Sequence, residues 1–210
     1  MPIHIHSLQI PYIPSGHSDI WGKEIHFAED QYYHIKASSG KGKSTFIQCL
    51  YGVQKNYSGE LSFNGQSVKN MNIAERCHYR EQSVSIVFQD LKLFEHQTAF
   101  ENIEIKRQLN PYHTESRMKD MAIELGVSEQ LSRPIDTLSY GERQRIAIIR
   151  ALMQPFQMLL LDEPFSHLDQ ANIQKASALI LHEVRQRKAG IILVDLEDDQ
   201  HFPYHEKRIL

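Results

Sequence analysis

The sequence is short of cysteine, of long apolar runs and of excess positive charge. Its 210 residues hold two cysteines, Cys49 and Cys77, with no metal-type spacing between them. A disulfide scaffold is excluded, and a reducing compartment is the simple reading. No apolar run approaches the roughly 20 residues that a membrane span needs. The start, Met1-Pro2-Ile3-His4-Ile5-His6, lacks the basic and apolar regions of a signal peptide. Direct membrane insertion is therefore not expected. The formal net charge is −3, so no global basic field draws the chain to nucleic acid. Internal repeats and low-complexity stretches are also missing.

What is present suits one α/β domain. A chain of this length can bury a full core, and 41% hydrophobic with 23% charged residues is ordinary for a globular protein. Twelve histidines invite a metal reading. His4 and His6 share one face of an expected strand, but the others are scattered without clustered carboxylates or cysteines, so no metal site is read from them.

The informative stretch is Ala37-Ser38-Ser39-Gly40-Lys41-Gly42-Lys43-Ser44-Thr45. The aromatic, β-prone run Gln31–Lys36 precedes it and a helix-compatible run, Thr45–Tyr51, follows. Strand, glycine-rich loop and helix form the context a phosphate-binding loop requires. Gly40 and Gly42 let successive N–H groups point into one concavity, and the helix end adds partial positive charge. Lys43 would reach the β- and γ-phosphates of a nucleotide, and the Ser44 hydroxyl would ligate Mg²⁺. Thr45 would support the α/β-phosphates. Ala37 stands where the pattern usually has glycine.

Upstream, strands are expected at Ile3–Ile10, Asp19–Phe27 and Gln31–Lys36. Tyr12 is placed to stack on an adenine ring, with Trp21 as a second aromatic; an ordinary edge or core aromatic is the other account of each. Downstream, Asn64-Gly65 marks a hairpin turn. Ser83–Phe88 reads as a strand ending at Gln89-Asp90. Gln89 can reach Mg²⁺ or an attacking water there, though a Gln taken singly at such a place is more often a surface residue. Helical patterns then dominate: Ala99–Leu109, and Thr114–Leu125 ending at Gly126.

Ser139 followed by Glu142 is a capping box that opens the helix before Met153. Its N-terminus would offer Ser139 and the Gly141 N–H to an anion. Met158–Leu161 reads as a strand buried on both faces, tipped by Asp162-Glu163, where α/β sheets bind ligands. Asp162 would hold Mg²⁺ and Glu163 would polarise the attacking water as general base. A helix over Ala171–Lys188, a buried strand Ile191–Val194 and a short edge strand Glu206–Leu210 complete the reading.

In this order the motifs resemble the nucleotide-binding subunit of an ABC transporter over nearly the whole chain. Ala37–Thr45 resembles the Walker A loop, Gln89 the Q-loop, Leu138–Arg145 the family signature, Met158–Glu163 Walker B and Ser166–Asp169 the D-loop. Phe88–Phe94 with Thr98–Ile103 is similar to small bacterial import and export cassettes, above all the lipoprotein-release, macrolide-export and cell-division group.

The resemblance implies an α/β P-loop NTPase. Its parts would be a RecA-like core with an antiparallel β subdomain (1–89 and 154–210) and an inserted helical subdomain (90–153). It implies an ATPase using ATP and Mg²⁺, with Gln89 and Glu163 catalytic and Ser44, Gln89 and Asp162 at the metal. Tyr12, Ser38, Ser39, Gly40, Lys41, Gly42, Lys43, Ser44, Thr45 and Asp162 would bind nucleotide on one chain. Ser139, Gly141 and Glu142 would close over it from a second cassette, either another copy in a homodimer or a different cassette that carries the histidine missing here. A transmembrane permease subunit would be the other partner, holding the chain peripherally on the cytoplasmic side of the inner membrane. Leu91, Leu93, Phe94 and Phe100 would line the docking groove, plain packing being an equal account of each.

Three positions depart from the family pattern. Ala37 replaces the first Walker A glycine. Tyr140 replaces the first signature glycine. Leu196 stands where a histidine usually contacts the γ-phosphate, and a leucine offers no hydrogen bond. An ATP-gated module with weak hydrolysis is therefore the alternative. A repair or translation protein with two linked cassettes or long coiled coils fits this single, mildly acidic cassette poorly.

Overall fold

The computed structural model describes residues 3–13, 18–38 and 40–210. Two sheets organise them. The first is antiparallel, ordered β2-β1-β4-β5 from Ile3–Gln9 (β1), Glu24–Phe27 (β2), Ser58–Phe63 (β4) and Gln66–Ser67 (β5). Asn64 and Gly65 both take positive φ, 49° and 78°, so the β4–β5 turn has the hairpin geometry that an Asn-Gly pair favours. The β1–β4 register slips between His6 and Gln9. At that slip Gly59 has φ +79°, and a Cβ there would lie 2.2 Å from the Ser7 carbonyl oxygen, so only glycine fits.

The second sheet is parallel, ordered β6-β7-β8-β3-β9. It comprises Tyr32–Lys36 (β3), Val84–Val87 (β6), Met158–Asp162 (β7), Gly190–Asp195 (β8) and Glu206–Ile209 (β9). Its central strands β7 and β8 are buried except at Asp195, which is why they read as apolar runs rather than alternating ones. The period of two still decides which core each side chain enters. Met158, Leu160, Ile192 and Val194 join a cluster with the antiparallel sheet and Lys43–Leu50 (α1). Leu159, Leu161, Ile191 and Leu193 point the other way. There they meet residues of Ala99–Leu109 (α3), Glu115–Glu124 (α4), Tyr140–Leu152 (α5) and Gln170–Arg187 (α6).

One buried carboxylate ties these helices together. Glu183 of α6 is fully buried and contacts His113 at 2.6 Å, Arg117 of α4 at 2.8 Å and Arg187 at 2.5 Å. Burial alone would raise the Glu183 carboxyl; those three partners instead hold it at about 2. Arg187 also donates to the carbonyl of Leu152, at the end of α5.

Two stretches differ from expectation. In the run Asp19–Phe27 only Glu24–Phe27 is strand; the Ser18 hydroxyl accepts from the N–H groups of Ile20 and Trp21 and curls the chain there. Ile73–Gln82 (α2) is a helix that apolar periodicity does not announce, because it buries only Arg76 and Tyr79. Of the four proposed groove residues, Leu91 is buried, Leu93 and Phe100 pack partly against the core, and Phe94 is exposed. Among the described residues no helix is long and apolar enough to cross a membrane, and no group of three or more His, Cys, Asp or Glu could hold a metal ion.

Candidate functional site

The site forms where β3, β7 and β8 end together. The loop after β3 curls at Gly40 and Gly42, both with positive φ. Gly42 is favoured by its backbone: its φ is +94°, a conformation that residues with a side chain rarely adopt, while the nearest atom a Cβ would meet is the movable tip of Ile13, at 2.4 Å. Ala37 replaces a glycine without strain. It is buried, has no positive φ, and donates its N–H to the Asp195 carbonyl at 2.9 Å. Trp21 is buried beneath this loop, with Nε1 donating to the Lys41 carbonyl at 3.3 Å and its ring edge-on to Phe46. It is a packing residue, and Tyr12 is left as the exposed aromatic.

α1 starts at Gly42 with no side-chain cap and no acid in its first turn. Its first N–H groups are left without a side-chain partner among the described residues, and its first turn lines a cavity of about 380 Å³. Gly40, Gly42, Lys43, Ser44 and Thr45 form one wall of that cavity. Tyr12 and Ile13 close one side, and Gln89, Glu163 and Leu196 the rest. Ser38 and Lys41 are exposed on the loop, with the Lys41 N–H donating to the Ser38 carbonyl at 3.2 Å. Ser39 lies outside the described residues.

The charges are arranged across the cavity floor. Lys43 Nζ lies 3.3 Å from Glu163 Oε1, and both side chains are buried. Glu163 adopts φ +48°, a strained conformation for a non-glycine residue, and more so before Pro164. Its N–H donates to the Val194 carbonyl at 3.0 Å, and its carbonyl accepts from Gln144 Nε2 at 3.3 Å. These bonds hold the turn that aims the carboxylate at Lys43. Gln144 is fully buried and also accepts from the His167 N–H, so one side chain joins the acidic strand tip to the following turn.

Asp162 lies beside a smaller, adjoining cavity of about 240 Å³ with Ser44, Gln89 and Tyr140. Burial pushes its carboxyl up to about 6, opposed by the Ser44 hydroxyl and reinforced by Glu163. Asp162 Oδ1 is buried with no hydrogen-bond partner among the described residues. Ser44 Oγ donates to Gln89 Oε1 at 3.3 Å. A hard cation takes oxygen ligands of this kind, so the hydroxyl, the amide oxygen and the unsatisfied carboxylate fit Mg²⁺.

Ser139, Gly141 and Glu142 are not brought to the first cavity. They form the first turn of α5, where the Ser139 hydroxyl and N–H both donate to Glu142 Oε2 at 2.8 Å. Leu196 does reach the cavity wall, beside Lys43 and Glu163. His201 lies instead in a neighbouring cavity, edge-on to Phe165 and 3.9 Å from Asp199. Gln144 is the positioning residue that sequence reasoning passed over; its one signal was a carboxamide at a position on the buried face of α5.

A parallel sheet, an uncapped helix after a glycine loop and an acidic strand tip define a P-loop nucleotide-binding protein. The family model for the ABC transporter matches residues 23–166. Across 174 residues the chain is 33% identical to the thiamine import ATP-binding protein ThiQ of Haemophilus ducreyi, covering 81% of this chain and 78% of that one. It is 31% identical to the methionine import ATP-binding protein MetN of Vibrio cholerae, covering 84% of this chain and 54% of that one. With the molybdate/tungstate import ATP-binding protein WtpC of Methanocaldococcus jannaschii it shares 36% identity over 72% of this chain and 52% of that one. The chain thus spans about half the length of the last two relatives. The fold matches the dimeric bacterial ABC transporter cassette MJ0796 at TM-score 0.81 and 20% identity, over 93% of this chain and 88% of that one. A post-hydrolysis state of that cassette with ADP and Pi bound matches at TM-score 0.78. The chain belongs to the ABC transporter family; it is an ATP-binding cassette of the ATPase class.

Proposed function

We propose that this chain binds Mg-ATP at the loop Gly40–Thr45, pairs with a second copy around the nucleotide, and drives conformational change in a membrane permease. The observation that carries this reading is the buried Lys43–Glu163 pair on the cavity floor, 3.3 Å apart, beside the unsatisfied Asp162 Oδ1. Lys43 would exchange Glu163 for the β/γ-phosphates, which frees the carboxylate to orient and deprotonate water. Ser44, Gln89 and Asp162 would hold Mg²⁺, which when bound neutralises charge building on the phosphates. Tyr12 would cover the base. Ser139, Gly141 and Glu142 would meet the partner copy's γ-phosphate, since none of them lines this chain's own nucleotide cavity. The helices between residues 90 and 153 would form the subdomain that contacts the permease. That contact would keep the chain on the cytoplasmic face of the membrane. The relatives' names speak of import, which favours an import permease as partner.

Leu196 favours a second reading, an ATP-gated module with weak hydrolysis. It places an apolar side chain in the cavity wall beside Glu163. Loss of one charge-stabilising donor costs about 2.7–4 kcal/mol of barrier in other enzymes. Hydrolysis by wild type, Glu163→Gln and Leu196→His separates the two. Turnover that disappears in Glu163→Gln supports the transport ATPase. Tight ATP binding without turnover, and a gain in Leu196→His, supports the gated module. Wild type that binds no ATP sinks both.

A further inference from the structure

Tyr140 stands at the first position of α5, next to Ser139, and its hydroxyl donates to the backbone carbonyl of Gln89 at 3.0 Å. Its ring lies 4.0 Å, centroid to centroid, from that of His167. It also lines the small cavity that holds Ser44 and Asp162. A residue of the signature helix therefore touches the metal side of its own chain's site.

The segment it touches is under strain. After Gln89 the chain turns through Leu91 and Lys92, with φ of +59° and +48°, which non-glycine residues adopt reluctantly. Arg150, in the last turn of α5, donates to the carbonyls of both residues, at 2.5 and 2.6 Å. α5 thus grips this loop from both ends. Arg150 holds its far side, and Tyr140 holds the one peptide whose side chain crosses to Ser44.

We propose that Tyr140 is a positioning residue that fixes Gln89 over the metal-side cavity, so that the signature helix of each chain braces that chain's own nucleotide site. This rests on the proposed role of Gln89 at Mg²⁺. The chemistry is specific to a phenol at this position. A glycine, the family's usual residue there, can neither reach the Gln89 carbonyl nor pack against the His167 ring.

The test is the gain in ATP affinity that Mg²⁺ confers. ATP affinity is titrated with Mg²⁺ and with EDTA, at concentrations where the protein elutes as a monomer. Tyr140→Phe keeps the ring and its contact with His167 and removes only the hydroxyl. The gain is expected to fall about fivefold, the worth of one hydrogen bond, with the EDTA affinity unchanged. On a Gln89→Ala background the same substitution is expected to change nothing further, because its effect runs through Gln89. A merely structural role would move the melting temperature and leave the Mg²⁺ gain intact. An unchanged gain in Tyr140→Phe overturns the proposal, as does an equal drop on the Gln89→Ala background. A wild type with no Mg²⁺ gain overturns the metal reading of Gln89 instead, and the proposal with it.

Discussion

The first turn of α1 is open and the first turn of α5 is closed. α1 begins at Gly42 with neither a capping side chain nor an acid. α5 begins at Ser139 with both arms of a capping box made by Glu142. Asn72 and Thr98 close α2 and α3 in the same way, and Thr114 and Asp169 cap α4 and α6. Every helix end has the same unsatisfied N–H groups. Among the described residues α1 is the α-helix that lacks a side-chain cap, and a phosphate is the partner its N–H groups fit. An end already satisfied by a carboxylate, as in α5, must trade that carboxylate away before it can accept an anion.

The sharpest way to break this contrast is to give α1 the acid that α5 has. Thr45 occupies the third position of α1, the counterpart of Glu142. Thr45→Glu is expected to raise the melting temperature of the nucleotide-free protein by about 1–3 °C through the helix dipole. It should weaken ATP binding about a thousandfold, since like charges some 4 Å apart cost about 4 kcal/mol at a partly screened site. Calorimetric melting and ATP titration check both arms, and wild-type affinity in this variant would break the comparison.

Opening α5 should do less. Ser139→Ala removes a cap worth about 1 kcal/mol and is expected to lower the melting temperature by about 2–4 °C. ATP affinity of the monomer should not change, whereas ATP-driven dimerisation, read by size exclusion in a Glu163→Gln background, should weaken.

The smallest effect concerns pH. Burial pushes the Glu142 carboxyl up, but the Ser139 hydroxyl and N–H, with Gln130, outweigh it and hold the group below its ordinary value. A depressed carboxylate stabilises the fold above its unfolded pKa of about 4.3, and that contribution is lost as pH falls through the lower folded value. The urea midpoints of wild type and Glu142→Gln should therefore differ more at pH 6 than at pH 3.5. A difference that grows on acidification would contradict the capping role.

The elements that carry this contrast were largely legible in the sequence. Glycines before Lys43-Ser44, the Ser139–Glu142 pair and the apolar run ending in Asp162-Glu163 are local patterns, and each forms the element expected of it. What stayed hidden depends on distant neighbours or on weak patterning. α2 buries two side chains, neither of which marks an apolar stripe, although its Asn72–Glu75 box was readable. Only the fold shows that Gln144 spans from the Glu163 carbonyl to the His167 N–H, or that Tyr140 reaches Gln89 across 51 residues. The strained φ of Glu163 is likewise imposed by the pairing of its N–H with Val194.

The buried Glu183 has a mechanical meaning. Through Arg117 it grips α4, through its own helix it belongs to α6, and through Arg187 it reaches the end of α5. Parting α4 from α6 would take Arg117 away from a fully buried carboxylate that has no water to replace it, and parting α5 would break the Arg187 bond to the Leu152 carbonyl.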